Sequence, residues 1–202
     1  MPIRLLVVIF CSFLLGGLVG LAAHPEAWPK TAIVLPVERT GKALVGGPFA
    51  LTDQHGKRVT DKDFRGRFML VYFGYTFCPD VCPADMQILS TALENMGPKA
   101  DRFAPIFITI DPERDTAERL ASYVQHFHPR LIGLTGSVDE ITAVAKAYRV
   151  YFSKVKDESA EDEYLMNHSA FIYVMNEQGE YLTHFGHGTK PDAIVERLTK
   201  LL

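Results

Sequence analysis

Two cysteines four residues apart are the feature of this chain with the clearest chemical meaning. Cys78 and Cys82 lie within GYTFCPDVCPADM, between an apolar run that ends near Tyr75 and a helical pattern that begins near Pro83. Both thiols are therefore predicted on a strand-to-helix turn, where open α/β sheets carry their reactive groups and where helix amides favour a thiolate. Such a pair can form a reversible disulfide, bind a soft metal ion or form a structural disulfide.

The spacing of the two cysteines favours the first two roles. A disulfide that closes so short a loop removes little entropy from the unfolded chain and stabilises the fold only modestly. Redox pairs of the thioredoxin type have two intervening residues, whereas this pair has three, Pro79, Asp80 and Val81. The wider spacing leaves room for an ion between the sulfurs. Since two sulfurs rarely complete a metal site, a third ligand has to come from elsewhere in the chain.

Among the seven histidines, His168 is the best candidate for the third ligand. It follows a charged segment, residues 155–164, that we interpret as a solvated loop, and it begins the apolar run HSAFIYVM. In a thioredoxin-like layout that run lies beside the strand that leads to the cysteines. Two thiolates and one imidazole suit Cu(I), or Cu(II) with an added ligand, whereas structural zinc usually has four protein ligands. His184, His187 and Met86 remain as alternative ligands.

Strand and helix patterns alternate along residues 46–202, which predicts one α/β domain. Strands are predicted at residues 47–52, 58–60, 67–75, 103–110, 131–134, 168–175 and 181–185. Helices are predicted at residues 83–96, 116–127, 138–148 and 191–202. Because only a few residues join the last two strands, they form a hairpin, and the sheet is mixed.

The first residues of the chain predict a membrane segment. No charged residue occurs from Leu5 to Ala23, a length near the roughly 20 apolar residues that a spanning helix needs. We interpret residues 1–24 as one N-terminal transmembrane helix, with a cleaved signal peptide as the alternative. Residues 25–45 then form an extended spacer. Arg4 is expected to stay on the cytoplasmic side, and the domain to lie across the membrane.

Composition narrows the classes of function further. Hydrophobic residues make up 48% of the 202 residues and charged residues 22%, so the chain can build a packed core. The formal net charge is −3 and no basic run occurs, which excludes the usual electrostatic signature of a nucleic-acid-binding protein. Three cysteines are too few for a disulfide-stapled scaffold, and Cys11 is interpreted as an inert thiol in the apolar N-terminal run.

Three segments in this order resemble the Sco/SenC family: GYTFCPDVCPADM, then ITIDPERDT at residues 108–116, then EYLMNHSAFIYVMNEQGEYLTHFG at residues 163–186. The resemblance covers residues 45–202. Sco/SenC proteins are membrane-anchored copper proteins that serve cytochrome c oxidase assembly. The resemblance therefore implies a thioredoxin-like, peroxiredoxin-related fold, with a mixed sheet flanked by helices and one N-terminal transmembrane helix.

The resemblance also implies a site and a partner. Copper would be held by Cys78, Cys82 and His168 and delivered to the binuclear copper A centre in subunit II of cytochrome c oxidase. Other copper chaperones or thioredoxin-like reductants are further expected partners. The implied location is the inner membrane, with a single pass and the domain on the periplasmic side. Family members commonly have an aspartate before the histidine, where this chain has Asn167, so charge at that position is not carried over.

Other functions compatible with the two thiols stay open. A thiol–disulfide oxidoreductase needs Cys78 and Cys82 but not His168, and a redox or copper sensor could use the same site. A thiol peroxidase would need an arginine and a hydroxyl residue beside its cysteine, and the cysteine motif contains no arginine. The DPERDT segment, residues 111–116, is interpreted as a strand end and helix cap, with Asp115 or Thr116 as the capping residue. The alternative is a wall of the metal cleft or a docking surface.

Overall fold

The structure is a computed structural model that describes residues 44–156 and 164–202. The predicted transmembrane segment, residues 1–24, and nearly all of the predicted spacer, residues 25–45, lie outside the described residues. Within the described ranges, no helix has both the length and the apolar character that crossing a bilayer requires.

Seven of the described strands form one sheet, and the other two form a separate hairpin. In chain order the strands are β1 (Ala50–Asp53), β2 (Arg58–Thr60), β3 (Phe68–Gly74), β4 (Phe103–Thr109), β5 (Ile132–Thr135), β6 (Phe152–Lys156), β7 (Tyr164–His168), β8 (Phe171–Met175) and β9 (Tyr181–Gly186). The order in the sheet is β2-β1-β5-β4-β3-β8-β9, and β6 pairs with β7. Strands β3, β4 and β5 are parallel and the other pairs are antiparallel. The prediction of a mixed sheet is therefore confirmed.

The two central strands place their carboxyl ends side by side. Every residue of β3 and of β4 is buried, as expected of apolar runs that are covered on both faces. Their parallel register runs from Phe68 opposite Phe103 to Gly74 opposite Thr109. Beyond the register, the Ile110 backbone N–H donates to the Gly74 carbonyl oxygen at 2.8 Å. The loops that follow β3 and β4 therefore leave the sheet at the same edge.

Four α-helices connect or flank the strands: α1 (Val81–Met96), α2 (Ala117–Val124), α3 (Val138–Ala147) and α4 (Pro191–Thr199). Short 3-10 helices cover Asp61–Phe64 and Gly97–Arg102. All four α-helices were predicted, although α1 begins two residues earlier than Pro83, with Asp80 at its N-cap position. As a result Cys82 lies in the first turn of α1 rather than on the turn before it.

The predicted strand at residues 168–175 is confirmed for residues 171–175, but its start is wrong, because His168 belongs to the preceding strand. Strand β7 ends at His168 and pairs with β6, whereas β8 begins at Phe171 and pairs with β3. The Ser169 backbone N–H donates to the Tyr151 carbonyl oxygen at 3.0 Å, and this bond closes the hairpin before the chain enters the sheet. Strand β6 was missed because its sequence, FSKVK, is partly charged and partly exposed. Both ends of the predicted solvated loop thus belong to the hairpin, and its middle, residues 157–163, lies outside the described residues.

Candidate metal centre

Three side chains from three elements meet at the edge of the sheet where β3 ends. Cys78 lies in the loop after β3, Cys82 in the first turn of α1 and His168 at the end of β7. The two Sγ atoms and a ring nitrogen of His168 all lie within 4.8 Å of one another, and Cys82 Sγ is 3.4 Å from His168 Nε2. Within residues 44–156 and 164–202, this is the one group of three such side chains close enough to share a metal ion. The structure thus brings together the three ligands proposed from the sequence.

The two cysteines are held close to each other by local backbone geometry. The Cys78 backbone N–H donates to the Tyr75 carbonyl oxygen at 3.2 Å, which folds the loop into a turn. The Cys82 backbone N–H then donates to Cys78 Sγ at 3.4 Å, so a helix amide points at the first sulfur. At Gly74, an added Cβ would lie 2.9 Å from Cys82 Sγ, a separation too short for any real Cβ contact. Glycine at the end of β3 therefore makes the space that the Cys82 sulfur occupies.

The ring of His168 is oriented by its second nitrogen and by two tyrosines. Its Nδ1 lies 3.2 Å from the Ser169 carbonyl oxygen. Because a carbonyl oxygen only accepts, this hydrogen bond places the proton on Nδ1 and leaves the Nε2 lone pair directed toward the sulfurs. The rings of Tyr72 and Tyr75 meet the imidazole edge-on, with centroids 6.2 and 6.0 Å away. The ring is thus held with its Nε2 facing the two sulfurs.

The two thiols differ strongly in acidity. A hydrogen bond from the Cys82 thiol lowers the pKa of Cys78 well below its usual range, and the backbone N–H groups of Cys82 and Asp80 act in the same direction. The pKa of Cys82 is raised above its usual range, because its proton is held by the Cys78 sulfur and because the side chain is buried. At neutral pH the pair therefore holds one thiolate, Cys78, and one thiol, Cys82.

The site is closed on one side and open on the other. Cys82 is completely buried, whereas Cys78 and His168 are partly exposed. An incoming ion or a partner's ligand therefore reaches Cys78 and His168 first, and Cys82 forms the floor of the site. A three-ligand site of this shape leaves a coordination position free for exchange.

The three alternative ligands proposed from the sequence lie outside the group formed by Cys78, Cys82 and His168. Met86 is buried in the core on α1. His184 Nδ1 lies 2.6 Å from the Tyr181 hydroxyl oxygen, on strand β9. His187 Nδ1 lies 2.9 Å from a carboxylate oxygen of the buried Asp85. Each of these side chains has a structural role of its own.

The structure also places Asn167 and the two candidate capping residues, Asp115 and Thr116. Asn167 is exposed and pairs with Ser153 in the hairpin. Because successive side chains in a strand point to opposite faces, its amide points away from the face that carries His168. Thr116 caps α2, since its side chain accepts from the Arg119 backbone N–H at 3.3 Å. Asp115 does not cap the helix and is instead buried under the cysteine loop, where it accepts hydrogen bonds from Thr76.

The sequence analysis missed the aromatic wall of the site. Tyr72 and Tyr75 read as members of a buried strand, and their contact with the imidazole depends on the hairpin, which the sequence did not predict. Arg114 adjoins this wall, with its Cζ 5.9 Å from the Tyr75 ring centroid and 3.7 Å from the Tyr164 ring centroid. The available signal was the position of Tyr75 three residues before Cys78, although spacing alone does not show which way its ring points.

The matching family model and the curated relatives of this chain point to the same family. The family model described as SCO1/SenC matches residues 37–202. The chain is 42% identical over 160 residues to Protein sco1 of Schizosaccharomyces pombe, in an alignment that covers 78% of this chain and 61% of that protein. Across four curated relatives the chain spans 48% to 62% of their length.

Solved structures show the same fold. Copper-bound ScoI of Bradyrhizobium japonicum superposes with a TM-score of 0.73 at 44% identity, covering 78% of this chain and 99% of that one. Copper-bound ScoI of Arabidopsis thaliana superposes with a TM-score of 0.73 at 40% identity, covering 77% of this chain and 96% of that one. A third structure is that of BsSco, which is described as a member of the Sco family of cytochrome c oxidase assembly proteins. It superposes with a TM-score of 0.60 at 22% identity, covering 79% of this chain and 95% of that one. At this identity it supports the fold alone. The thioredoxin-like fold of the described domain is confirmed.

The difference in acidity predicts which cysteine reacts first. Because thiolates and not thiols attack iodoacetamide, we expect Cys78 to be alkylated at pH 6 at least about tenfold faster than Cys82 in the reduced, metal-free protein. Peptide mass spectrometry over a time course measures both rates and separates them from that of Cys11. Equal rates for Cys78 and Cys82, or a faster Cys82, would contradict the assignment of the thiolate.

Proposed function

The chain belongs to the SCO1/SenC family, and from this membership and the geometry of the site we propose that it binds one copper ion through Cys78, Cys82 and His168. The observation that carries the proposal is the convergence of two sulfurs and one imidazole nitrogen within 4.8 Å. The copper-bound structures of two similar ScoI proteins support the choice of metal. So does the ligand chemistry, because thiolates prefer Cu(I) and imidazole suits copper in either oxidation state.

Binding copper requires only a small change in the protonation of the site. Cys78 is already a thiolate and His168 already has its Nε2 lone pair free, so Cys82 is the ligand that has to release a proton. Two thiolates carry two negative charges, which match Cu(II) and exceed the charge of Cu(I) by one. Because protons compete with the metal for these ligands, copper affinity is expected to fall as the pH falls.

Delivery of the bound copper is the second part of the proposal. The open side of the site presents Cys78 and His168, so a partner's thiolate can enter the free coordination position while Cys82 still holds the ion from below. Ligand exchange of this kind needs no fully solvated ion. We assign subunit II of cytochrome c oxidase, with its binuclear copper A centre, as the acceptor, and other copper chaperones or thioredoxin-like reductants as further partners. Membership in the SCO1/SenC family supports this assignment.

The same proposal includes a location and a domain arrangement. Residues 1–24 act as a single-pass anchor in the inner membrane, residues 25–45 as a spacer, and residues 46–202 as the copper-binding domain on the periplasmic side. The uncharged run from Leu5 to Ala23 supports the anchor, since its length is close to that of a spanning helix. A membrane anchor would keep the site near a membrane-bound oxidase.

Thiol–disulfide exchange is a second candidate function of the same pair. The lowered pKa of Cys78 makes this sulfur a nucleophile at neutral pH, and the neighbouring Cys82 thiol can resolve a mixed disulfide. This chemistry requires both cysteines but gives no part to His168. The two functions therefore differ in their need for the imidazole.

Replacement of His168 separates the two functions. We expect His168→Ala to weaken copper binding by about 100-fold or more, because loss of a ligand should exceed the roughly 10- to 100-fold cost of losing an outer-shell partner. Dithiol exchange with glutathione should stay near the wild-type rate. Competition with a chromophoric Cu(I) chelator measures the affinity of the full-length protein.

The matched control for this experiment is His184→Ala. His184 is also a histidine near a strand end, but its Nδ1 is engaged with the Tyr181 hydroxyl group, outside the group of three ligands. Copper affinity should be unchanged in this variant. If His168→Ala binds copper as tightly as the wild type, the ligand set is wrong and the protein is a dithiol protein without a histidine ligand.

Delivery is tested by mixing the copper-loaded protein with metal-free, reduced subunit II. We expect copper to move to subunit II, because its copper A ligands can replace Cys78 and His168 on the open side of the site. Separation of the two proteins followed by measurement of the copper content of each gives the extent of transfer. Copper that stays entirely on this chain would contradict the assigned acceptor, while leaving the copper site itself intact.

A further inference from the structure

The segment that follows β4, residues 110–116, touches both parts of the chain that carry the proposed ligands. The cysteine loop, residues 75–80, leaves the main sheet at the end of β3. His168 ends β7, which among the described strands pairs with β6 alone, so within the described residues this hairpin is not part of the seven-stranded sheet. The relative position of the imidazole and the thiols therefore depends on contacts other than sheet pairing.

Toward the cysteine loop, the segment is fixed by a buried carboxylate. Asp115 is completely buried and accepts from the Thr76 backbone N–H at 2.9 Å and from the Thr76 hydroxyl group at 2.5 Å. It also accepts from the Thr109 hydroxyl group at 2.7 Å. These bonds hold the backbone two residues before Cys78 against the end of β4.

Toward the hairpin, the segment makes contacts at the start of β7 and in β6. The Tyr164 hydroxyl group donates to Asp111 Oδ1 at 2.7 Å, and Asp111 is buried. Lys154 of β6 forms an ion pair with Glu113 and lies 4.4 Å from the Tyr164 ring centroid. The hairpin is thus attached to the segment at the start of β7 and at the middle of β6.

Arg114 connects the two sides directly. Its Nε donates to Asp111 Oδ2 at 2.5 Å, and its Cζ lies 3.7 Å from the Tyr164 ring centroid and 4.4 Å from the Phe77 ring centroid. Tyr164 belongs to the hairpin and Phe77 immediately precedes Cys78. The Arg114 Nη2 atom is buried without a hydrogen-bond partner, so attraction to these rings and to Asp111 fixes the guanidinium group.

We propose that Arg114 is a positioning residue for the metal site. By holding Tyr164 of the hairpin beside Phe77 of the cysteine loop, it acts together with the edge-on contact of Tyr75 with the His168 ring to keep Cys82 Sγ and His168 Nε2 3.4 Å apart. Hydrogen bonds of the His168 side chain within the described residues reach only the adjacent Ser169 carbonyl oxygen and the thiols, so the place of the ring follows the place of the hairpin. This inference rests on the proposed copper function for its copper measurements, but the coupling of hairpin and loop does not require a metal.

Loss of Arg114 should loosen the hairpin without detaching it. Met166, at the centre of β7, is buried in the core, and Phe152 of β6 packs against the same core. These apolar contacts remain when the guanidinium group is removed. The expected defect is therefore a less well-placed imidazole, with the thiols and the fold preserved.

The experiment is a double-mutant cycle on the full-length protein, with Arg114→Met made in the wild-type and His168→Ala backgrounds. Methionine keeps much of the length of the side chain and its apolar contact with the rings but removes the charge. We expect Arg114→Met to weaken Cu(I) binding by about fivefold or more when His168 is present, and to change it less than about twofold when His168 is absent. An equal loss in both backgrounds, or no loss in either, would overturn the proposal.

Arg119→Met is the matched control. The Arg119 Cζ lies 3.8 Å from the Phe77 ring centroid and its Nε donates to the Thr76 hydroxyl group at 3.1 Å, so it supports the cysteine loop as Arg114 does. In the described part of the chain, none of its hydrogen bonds or ring contacts reaches the hairpin. Copper affinity should stay near the wild-type value in this variant, and a loss as large as that of Arg114→Met would show that contact with the loop alone is what matters.

A second measurement needs no copper. Hydrogen–deuterium exchange of the amides in residues 164–168 of the metal-free protein should be faster in Arg114→Met, unchanged in Arg119→Met and partly restored in Arg114→Lys. Unchanged exchange in Arg114→Met would overturn the proposed positioning role of Arg114, whether or not the wild-type protein binds copper. Failure of the wild-type protein to bind copper would refute the proposed function instead. If Arg114→Met does not fold, Tyr164→Leu removes the ring on the hairpin side and should give the same dependence on His168.

Discussion

The 3.4 Å approach of Cys82 Sγ to His168 Nε2 is the contact on which the rest of the site depends. It joins residues 86 positions apart in the chain, and the two are supported very unequally. Cys82 is fixed by the packing of α1 against the central strands, whereas His168 is carried by a two-stranded hairpin beside the main sheet. Any contact that holds the hairpin in place therefore also determines whether three ligands or only two are available to an ion.

The unequal burial of the two sulfurs has a chemical consequence. The pKa of the buried Cys82 is raised by its hydrogen bond to the Cys78 sulfur and by burial, while the pKa of the partly exposed Cys78 is lowered. Under the proposed function, copper exchange and disulfide exchange would both begin at the accessible sulfur of Cys78, with Cys82 as the second partner in each. The same arrangement of the two sulfurs therefore suits both proposed reactions. The imidazole of His168 has a part only in the reaction with copper.

The parts of the structure that were predictable from sequence are those with a strong local pattern. Strands β3 and β4 are continuous apolar runs because both of their faces are buried, and the cysteine turn between β3 and α1 follows from that assignment. The hairpin was not predictable, because β6 and β7 are half-exposed and their polar residues resemble those of a loop. The bridging position of Arg114 was also hidden, since its partners Phe77 and Tyr164 are distant in sequence and meet only in the folded chain.

The central claim is that two sulfurs and one imidazole surround a single copper ion. X-ray absorption spectroscopy at the copper edge tests it most directly, because the fine structure counts the sulfur and nitrogen neighbours of the metal. For the full-length protein loaded with one equivalent of Cu(I), the account predicts two sulfur neighbours and one imidazole nitrogen. A spectrum with two sulfur neighbours and no imidazole, or one dominated by nitrogen and oxygen, would contradict it.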